Sequence, residues 1–547
     1  MRIEESPEIR QFLRIARVSH DRFRFSMTHD EVELKFTAPP EVAGRLDRTK
    51  SLGQLGVGRA RTRKLHSTYY DTPELHLLEN GISLRVRRQG RATLQSVKTQ
   101  AARDGMTRRE DETPLTDTRP APQLIQDDAL RGSVLAAEKH GTLRPVFASD
   151  VQRTVRDLRS NDSRIKLAID TATIECAPAA SGGPAALADS FCEIELELKS
   201  GKPVDVLRLG RALLDRYPLA LSPMTKAERG YVAVTGRADP RLPVKRDALE
   251  LSADIDVGPA YLQILTDCAD HAQANLAAAL SDNAEGIHQM RVALRRLRSA
   301  IDTFHPVIDS AAMKALARRA RDLAAELSPA RDIDVFGDDI LCPVEQSLSG
   351  DVSFDSMRSL LSDLRRDARR HVHEVLAGPR FSELILDLRI ACAEQSWFED
   401  GNDSVAGEPL VDRARSCLDR RYESVDKYGR RIDKLAPAAR HEMRKRLKKL
   451  RYAAEFFAPL FAGRTTTRYR KELAQVQDAF GYLNDVEVAH EIIAALKDRA
   501  QLDESALGDL SLACGAIIGW HEGRLKSAWC RARRRWAKLA VRPAFWH

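Results

Sequence analysis

The sequence contains few cysteines, and their spacing follows no metal-binding or disulfide pattern. Eight cysteines are scattered over 547 residues, and no two of them form a CxxC pair. The spacing therefore predicts neither a zinc site nor a disulfide framework. A reducing cytoplasm is the expected compartment.

Long apolar runs and a secretory leader are also missing. No run reaches the roughly 18 apolar residues of a membrane-spanning helix, so no membrane partner is expected. The first 26 residues are rich in arginine and lack the apolar core of a signal peptide. Met27 stands just before the first strand-like motif, so residues 1–27 are interpreted as an N-terminal extension.

Charge is abundant, whereas aromatic residues make up only 6% of the chain. Charged residues account for 30%, the formal net charge is +8 and the pI is about 9.0. A basic protein of this kind favours an anionic partner without naming it. The length alone predicts about two to four domains.

Apolar residues recur with a different period in each half of the chain. Residues 28–234 alternate apolar and polar side chains in short runs separated by turn residues, which predicts an antiparallel β-rich domain with a few helices. Residues 235–257 are interpreted as a linker. From 258 to 547 the pattern is helical, so the fold class is α+β with more than one domain.

The predicted strands place charged side chains on one face and apolar side chains on the other. In the stretch EVELKF, Glu31, Glu33 and Lys35 alternate with Val32 and Leu34. Further charged residues on such alternating positions are Arg85, Arg87, Lys98, Arg108, Glu110, Glu112, Lys166, Asp170, Glu193, Glu195, Glu197 and Lys199.

Two arrangements explain this alternation. In a flat sheet the charged face meets solvent, whereas in a closed barrel it lines the lumen. A charged lumen requires compensation. Its carboxylates suit a hard divalent cation, and its arginines and lysines suit phosphate oxygens. The alternation alone leaves both arrangements open.

Four motifs in the first half resemble the CYTH domain, the triphosphate tunnel metalloenzyme family. EVELKF is similar to its ExExK signature, and later landmarks follow in order: HSTYYDTPELHLLENGISLRVRR (66–88), EIELELKSG (193–201) and TKAERGY (225–231). The resemblance implies an eight-stranded antiparallel β-barrel tunnel. It also implies hydrolysis of inorganic triphosphate with Mg²⁺ or Mn²⁺.

The resemblance also implies roles for individual residues. Glu31, Glu33 and Lys35 match the catalytic signature. The implied metal ligands are Glu31, Glu33, Asp170, Glu193, Glu195 and Glu197. The implied phosphate-binding residues are Lys35, Arg85, Arg87, Lys98, Arg153, Lys226 and Arg229. No single glutamate stands out as the general base.

The second half repeats itself at one fixed offset. HQMRVALRRLR (288–298) returns as HEMRKRLKKLR (441–451), 153 residues later. At the same offset, RDIDV (331–335) returns as NDVEV (484–488). The repeat predicts two pseudo-symmetric helix bundles, over about 258–400 and 410–547.

Each copy of the repeat places four basic or histidine residues on one helical stripe. Their spacing of i, i+3, i+7 and i+10 gives a stripe about 15 Å long. Such a stripe is either a solvated basic face or a binding surface for a polyanion. The residues are His288, Arg291, Arg295 and Arg298, and then His441, Arg444, Lys448 and Arg451.

These motifs resemble the CHAD domain, the conserved-histidine α-helical domain. The resemblance implies that the eight stripe residues bind polyphosphate. Arg296 and Lys449, on a neighbouring face, are weaker candidates, and Arg318 and Lys471 are candidates for the rim. The domain order resembles that of bacterial inorganic triphosphatases.

Three alternatives to an inorganic triphosphatase remain at this stage. One is an adenylate cyclase or thiamine-triphosphatase of the same family. Another is a non-catalytic polyphosphate-binding protein associated with polyphosphate granules. A nucleic-acid partner is the third, and it is not expected because no recognised nucleic-acid motif accompanies the basic helices.

Overall fold

The computed structural model describes most of the chain. The described residues are 30–48, 56–100, 102, 104–160, 162–176, 186–236, 243–246, 248–305, 307–348, 350–398, 403–501 and 504–547. The predicted N-terminal extension lies outside them. The chain divides into two compact units, one up to Arg241 and one from Leu242 onward.

Eight antiparallel strands of the first unit form a closed barrel, which confirms the predicted fold. The strands are β1 (Asp30–Ala38), β3 (Arg61–Asp71), β4 (Ile82–Gln89), β5 (Ala92–Thr99), β6 (Thr107–Leu115), β7 (Arg144–Ser160), β8 (Ser163–Cys176) and β9 (Ala186–Ser200). Their order around the barrel is β1-β6-β5-β4-β3-β7-β8-β9, and β9 pairs again with β1. Two short strands, β2 (Gly56–Val57) and β10 (Ala220–Leu221), pair with β7 and β1.

Strand β1 closes the barrel because it pairs on both sides. Val32 lies opposite Thr107 of β6, and Lys35 lies opposite Glu195 of β9. Closure leaves no free edge among these eight strands. It also separates the two faces of each strand, since alternate side chains point into the lumen or away from it.

The apolar outer face of the barrel packs against helices. The α-helices in the described part of this unit are α1 (Pro40–Arg48), α2 (His76–Glu79), α3 (Asp128–Glu138), α4 (Pro203–Leu214) and α5 (Lys226–Thr235). Leu34 and Phe36 of β1 are buried, and a Cβ at Gly210 of α4 would overlap Leu34. A Cβ at Gly230 of α5 would likewise overlap the Phe147 ring. Glycine at these two positions allows the helices to lie directly on the strands.

The second unit is helical. Its helices are α6 (Val257–Ala274), α7 (Leu276–Leu280), α8 (Ala284–Phe304), α9 (Ala311–Glu326), α10 (Ser328–Val335), α11 (Cys342–Ser347), α12 (Asp355–Ala377), α13 (Pro379–Glu394), α14 (Asp403–Ala406), α15 (Leu410–Gly429), α16 (Pro437–Phe457), α17 (Arg464–Arg499) and α18 (Glu504–Ala540). A π-helical turn, Phe336–Leu341, joins α10 to α11. Within the described ranges, no helix is both long and apolar enough to cross a membrane.

The helix boundaries reproduce the sequence repeat. Helices α6, α8 and α9 begin 153 positions before α15, α16 and α17 respectively. The two copies then differ, because α10, the π-helical turn and α11 of the first copy correspond to the second half of the single long helix α17. Leu294 and Leu297 of α8, and Leu447 and Leu450 of α16, are buried in the core as their spacing predicts.

Part of the segment interpreted as a linker packs within the helical unit. Val244 and Asn275 exchange two hydrogen bonds, both 3.0 Å long. Leu249 and Leu251 are buried. The segment before α6 is therefore held in place by this unit's own core.

Candidate functional site

The barrel encloses a charged cavity of about 170 Å³. Because alternate side chains of each strand face the lumen, the charged face of β1 points inward, and the flat solvated sheet is the wrong arrangement. Ten of the candidate residues line the cavity: Glu31, Glu33, Lys35, Arg85, Arg87, Lys98, Arg153, Glu195, Glu197 and Lys226.

The two glutamates of the first strand are held by cations from β5 and β6. Arg108 Nε donates to Glu31 at 2.9 Å, and the same guanidinium also contacts Glu33. Lys98 Nζ lies 2.7 Å from Glu31 and 2.8 Å from Glu110. Burial alone would raise the pKa of Glu31, but Lys98 and Arg108 outweigh burial and hold that pKa well below its usual value.

A second carboxylate group lies on β8 and β9. Lys226 Nζ is 2.9 Å from Asp170 and 2.7 Å from Glu195, and it also contacts Glu193. Arg153 donates twice to Asp170, at 2.8 and 2.6 Å. Burial would raise the pKa of Glu195, but Arg153 and Lys226 hold it well below its usual value. Asp170 and Glu193 belong to this group, although neither lines the cavity surface.

The second group has the donor chemistry of a divalent cation site. Asp170, Glu193 and Glu195 are buried, and each offers an oxygen within 4.8 Å of the others. In the described part of the chain this is the only cluster of three such groups. Mg²⁺ and Mn²⁺ favour oxygen ligands of this kind, so the residues present fit the implied metal.

Lysine side chains connect the remaining carboxylates. Lys35 Nζ lies 2.9 Å from Glu33 and 2.6 Å from Glu195, so it joins the first-strand glutamates to the second group. Glu197 is contacted by both Lys166 and Lys199. Six predicted metal ligands are thus distributed over three neighbouring sets of ion pairs.

Arg85 and Arg87 are the least compensated cations of the lumen. The nearest carboxylate oxygens to their guanidinium nitrogens are 3.8 and 4.0 Å away. Their Nε atoms are buried without a hydrogen-bond partner among the described residues. Burial, together with the positive charges of Arg85 and Arg153, lowers the pKa of Arg87 to about 10. A buried guanidinium without a close carboxylate favours an anion beside it.

A tyrosine lies beside these arginines. Tyr69 lines the cavity and stacks on Phe147, with ring centroids 4.4 Å apart. Burial would raise the pKa of its hydroxyl, but Arg85 and Arg87 outweigh burial and lower it. Tyr70, the next residue, donates instead to the Thr118 carbonyl at 3.2 Å and does not line the cavity.

Three lining residues had no predicted role in the site, and one residue with a predicted role lies elsewhere. Arg108, Glu110 and Glu112 line the cavity, as their alternation in the sequence allows, but the family resemblance assigned them neither a metal nor a phosphate contact. Arg229 does not line the cavity. Its guanidinium lies 3.1 Å from Asp189 and stacks over the Phe191 ring. Arg229 therefore contacts these two side chains and not the cavity.

The helical unit has a separate groove of about 620 Å³ between the two repeat helices. Arg451 does not line it, because its Nε donates to Glu455 at 2.9 Å. Of the two weaker candidates, Lys449 lines it, whereas Arg296 is buried and donates to Asp267 at 2.8 Å. The unpredicted Arg321, Arg331 and Lys445 also line it. The predicted residues that line it are His288, Arg291, Arg295, Arg298, His441, Arg444 and Lys448.

The groove has an excess of positive charge. Nine lysine and arginine residues line it, against two carboxylates, Asp332 and Asp485. Burial, followed by repulsion from Arg295 and Arg444, lowers the pKa of Lys448 to about 6. Burial and neighbouring cations also lower the pKa of Arg291 to about 10. An anion in the groove would relieve this repulsion.

The class of this protein is defined by its two units. The first is a closed antiparallel barrel with a charged lumen, and the second is a duplicated helical unit with a basic groove. Residues 29–231 match the model of the CYTH domain, and residues 263–494 match that of the CHAD domain. The chain therefore belongs to the proteins that carry a CYTH domain followed by a CHAD domain.

Two curated relatives match this chain over different lengths. An inorganic triphosphatase from Haemophilus influenzae is 27% identical over 205 residues, which is 37% of this chain and 54% of that protein. The chain thus spans about half the length of this relative. An uncharacterized protein of Mycobacterium tuberculosis is 27% identical over 461 residues, which is 78% of this chain and 82% of that protein.

Solved structures that are similar to part of this chain include a CHAD domain. The CHAD domain of the plant Ricinus communis is 28% identical, with a TM-score of 0.45, and the match covers 53% of this chain and 96% of that one.

Proposed function

We propose that the barrel is a metal-dependent inorganic triphosphatase. The observation that carries the proposal is the presence, in one enclosed lumen, of a buried carboxylate cluster next to two poorly compensated arginines. The carboxylates suit a divalent cation, and the arginines suit phosphate oxygens. The Haemophilus influenzae relative, named as an inorganic triphosphatase, supports the same substrate.

The residues of the chain would act mainly by position and charge. Arg85, Arg87 and Lys98 would hold the phosphate chain, and the carboxylate group that includes Asp170 and Glu195 would hold the cation. The bound metal would neutralise phosphate charge and acidify an attacking water. Phosphoanhydride hydrolysis depends mostly on such positioning and electrostatic stabilisation. A lumen carboxylate then accepts the proton of the water.

For the second unit we propose polyphosphate binding in the basic groove. The excess of nine cations over two carboxylates supports this function, because neutralising phosphates releases their counterions and favours binding. The depressed pKa of Lys448 supports it as well, since a bound polyanion stabilises the charged lysine.

A pair of adjacent arginines tests the proposed hydrolase. Arg87 lines the lumen, whereas Arg88, the next residue of β4, is exposed and does not. We expect Arg87→Ala to lower phosphate release from tripolyphosphate by about 10²-fold or more, because the variant no longer stabilises the charge that develops on the phosphate oxygens. Arg88→Ala should keep the wild-type rate.

The substrate is tested in the same assay. Tripolyphosphate, ATP and thiamine triphosphate are compared with Mg²⁺ and with Mn²⁺, and cyclic AMP is measured from ATP. Equal activity of Arg87→Ala and Arg88→Ala would contradict the tunnel site. Cyclic AMP formation or faster thiamine triphosphate hydrolysis would instead support the other enzymes of this family.

A further inference from the structure

Asp71 is a fully buried carboxylate that does not line the lumen cavity. It is the last residue of β3 and belongs to the motif HSTYYDTPELHLLENGISLRVRR. A buried carboxylate destabilises the fold unless hydrogen bonds compensate its charge. The contacts of Asp71 therefore indicate which parts of the barrel it holds together.

Three of these contacts are local. The backbone N–H groups of Thr72, Leu77 and Leu78 donate to the carboxylate at 2.7, 2.8 and 3.0 Å. They fix the turn that leads from β3 into α2. A role in forming this turn accounts for these three hydrogen bonds.

The fourth contact comes from a residue 160 positions away in the sequence. The Tyr231 hydroxyl of α5 donates to Asp71 Oδ2 at 2.8 Å. Burial, followed by the negative charge of Asp71, raises the pKa of Tyr231 well above its usual value. The hydroxyl therefore stays protonated and remains a donor. The turn after β3 does not require this bond, which instead joins α5 to the barrel.

Tyr231 lies close to the lysine that α5 places in the lumen. It follows Lys226 by five residues, about 7.5 Å along the helix axis, and both residues line the cavity. Because α5 has only ten residues, an anchor at Tyr231 restricts rotation and sliding of the whole helix. Such an anchor is suited to keeping the Lys226 ammonium 2.9 Å from Asp170 and 2.7 Å from Glu195.

We propose that Asp71 and Tyr231 are positioning residues, which together hold the Lys226 ammonium against the carboxylate group of β8 and β9. The inference rests on the proposed triphosphatase and adds to it a support for one of its cations. Phosphoanhydride hydrolysis depends on exact placement of charge, so a small displacement of this ammonium lowers the rate.

The test is a double-mutant cycle on the full-length protein. Tyr231→Phe removes only the hydroxyl and keeps the ring packed edge-on against Phe147, with centroids 5.3 Å apart. Lys226→Ala removes the positioned cation, and a third variant combines the two changes. Tyr70→Phe is the matched control, because the Tyr70 hydroxyl also donates a hydrogen bond, to the Thr118 carbonyl, but Tyr70 does not line the cavity.

Two quantities are measured for each variant. The first is kcat/KM for tripolyphosphate hydrolysis with Mn²⁺. The second is the Kd for Mn²⁺, measured from the electron paramagnetic resonance signal of the free ion. The second measurement requires no turnover and reports on the carboxylate group that Lys226 contacts.

We expect Tyr231→Phe to lower kcat/KM by about tenfold, because the deleted hydrogen bond is to a charged group. The variant should also bind Mn²⁺ more tightly, as should Lys226→Ala, since a displaced or deleted ammonium competes less with the metal for the carboxylates. In the Lys226→Ala background, Tyr231→Phe should change neither quantity further. Tyr70→Phe should match the wild type in both.

Three outcomes would overturn the inference. Equal effects of Tyr231→Phe in both backgrounds would show that the hydroxyl supports the fold and does not act through Lys226. Weaker Mn²⁺ binding by Tyr231→Phe would show that the carboxylate group itself is disturbed. A Tyr231→Phe variant that matches the wild type in both quantities would show that the bond to Asp71 positions nothing.

Failure of the proposed function has a different signature. If the wild type binds Mn²⁺ but does not hydrolyse tripolyphosphate, the triphosphatase proposal fails. The Mn²⁺ cycle then decides by itself whether Tyr231 positions Lys226.

Discussion

At the scale of single residues, position on a strand or helix decides which charges can act. Arg87 and Arg88 are neighbours in β4, but only Arg87 faces the lumen. In the helical unit, Arg298 lines the groove, whereas its repeat counterpart Arg451 is paired with Glu455. Residue type alone therefore does not define the sites. The local partner determines whether a cation is available to an anion.

Two adjacent tyrosines provide a test at this scale. Tyr69 lies beside Arg85 in the lumen, whereas the Tyr70 hydroxyl donates to a loop carbonyl. We expect Tyr69→Phe to reduce the rate of tripolyphosphate hydrolysis by about tenfold or more, because the variant lacks a hydrogen bond to a charged group. The phenylalanine ring of the variant keeps the stacking on Phe147. Tyr70→Phe should keep the wild-type rate, and equal rates for both variants would exclude a role for the Tyr69 hydroxyl.

Lys448 gives a second test at this scale. Its pKa is lowered to about 6 in the free groove, and a bound polyanion raises it by favouring the charged form. Binding at pH 7 therefore takes up a proton. The affinity for polyphosphate should fall as the pH rises above 6, by at most about tenfold per pH unit from this group.

The proton uptake is measured by titration calorimetry at pH 7 in buffers with different ionisation enthalpies. Lys448→Met is the control, because it removes this titrating group while keeping a side chain of similar length. The variant should take up fewer protons than the wild type. Equal proton uptake by both proteins would show that Lys448 does not titrate on binding.

At the scale of elements, the strand alternation and the helical repeat predicted the strands and helices, whereas the closed barrel was predicted from the resemblance to the CYTH domain. The pattern in EVELKF separated the two faces of β1 without deciding which one points inward, and the offset of 153 residues predicted the correspondence of α8 with α16. Partners that are distant in the sequence were harder to predict. The alternation of Arg108 was visible, but its contacts with Glu31 and Glu33 arise only because β1 pairs with β6 when the barrel closes.

The start of α5 shows how one element supports the site. Thr225 and Glu228 form a capping box, in which the Glu228 carboxylate accepts from the Thr225 N–H at 2.7 Å. Lys226, the first residue of the helix, reaches into the lumen. We expect Thr225→Ala to lower the free energy of unfolding by about 1 kcal/mol.

Urea denaturation monitored by circular dichroism measures this change. Glu228→Gln is the control, because glutamine also completes a capping box, and its stability should remain closer to that of the wild type. A Thr225→Ala variant as stable as the wild type would show that the cap does not stabilise α5.

At the scale of the whole molecule, the chain carries two charged sites of different character, one in the barrel and one in the helical unit. In the barrel, carboxylates and cations balance each other closely, and the depressed pKa of Glu31 and of Glu195 shows that the acids stay charged. In the helical groove, cations exceed carboxylates. The first arrangement suits a metal together with a short phosphate chain, and the second suits a polyanion alone. The net charge of +8 is consistent with both partners.

The most direct test of the central claim is phosphate release from tripolyphosphate by the purified full-length protein, with the divalent cation supplied or removed by chelation. Hydrolysis should require Mg²⁺ or Mn²⁺, stop when EDTA is added and return when excess cation is restored. Undiminished hydrolysis in EDTA, or no hydrolysis with either cation, would contradict a metal-dependent triphosphatase in the barrel.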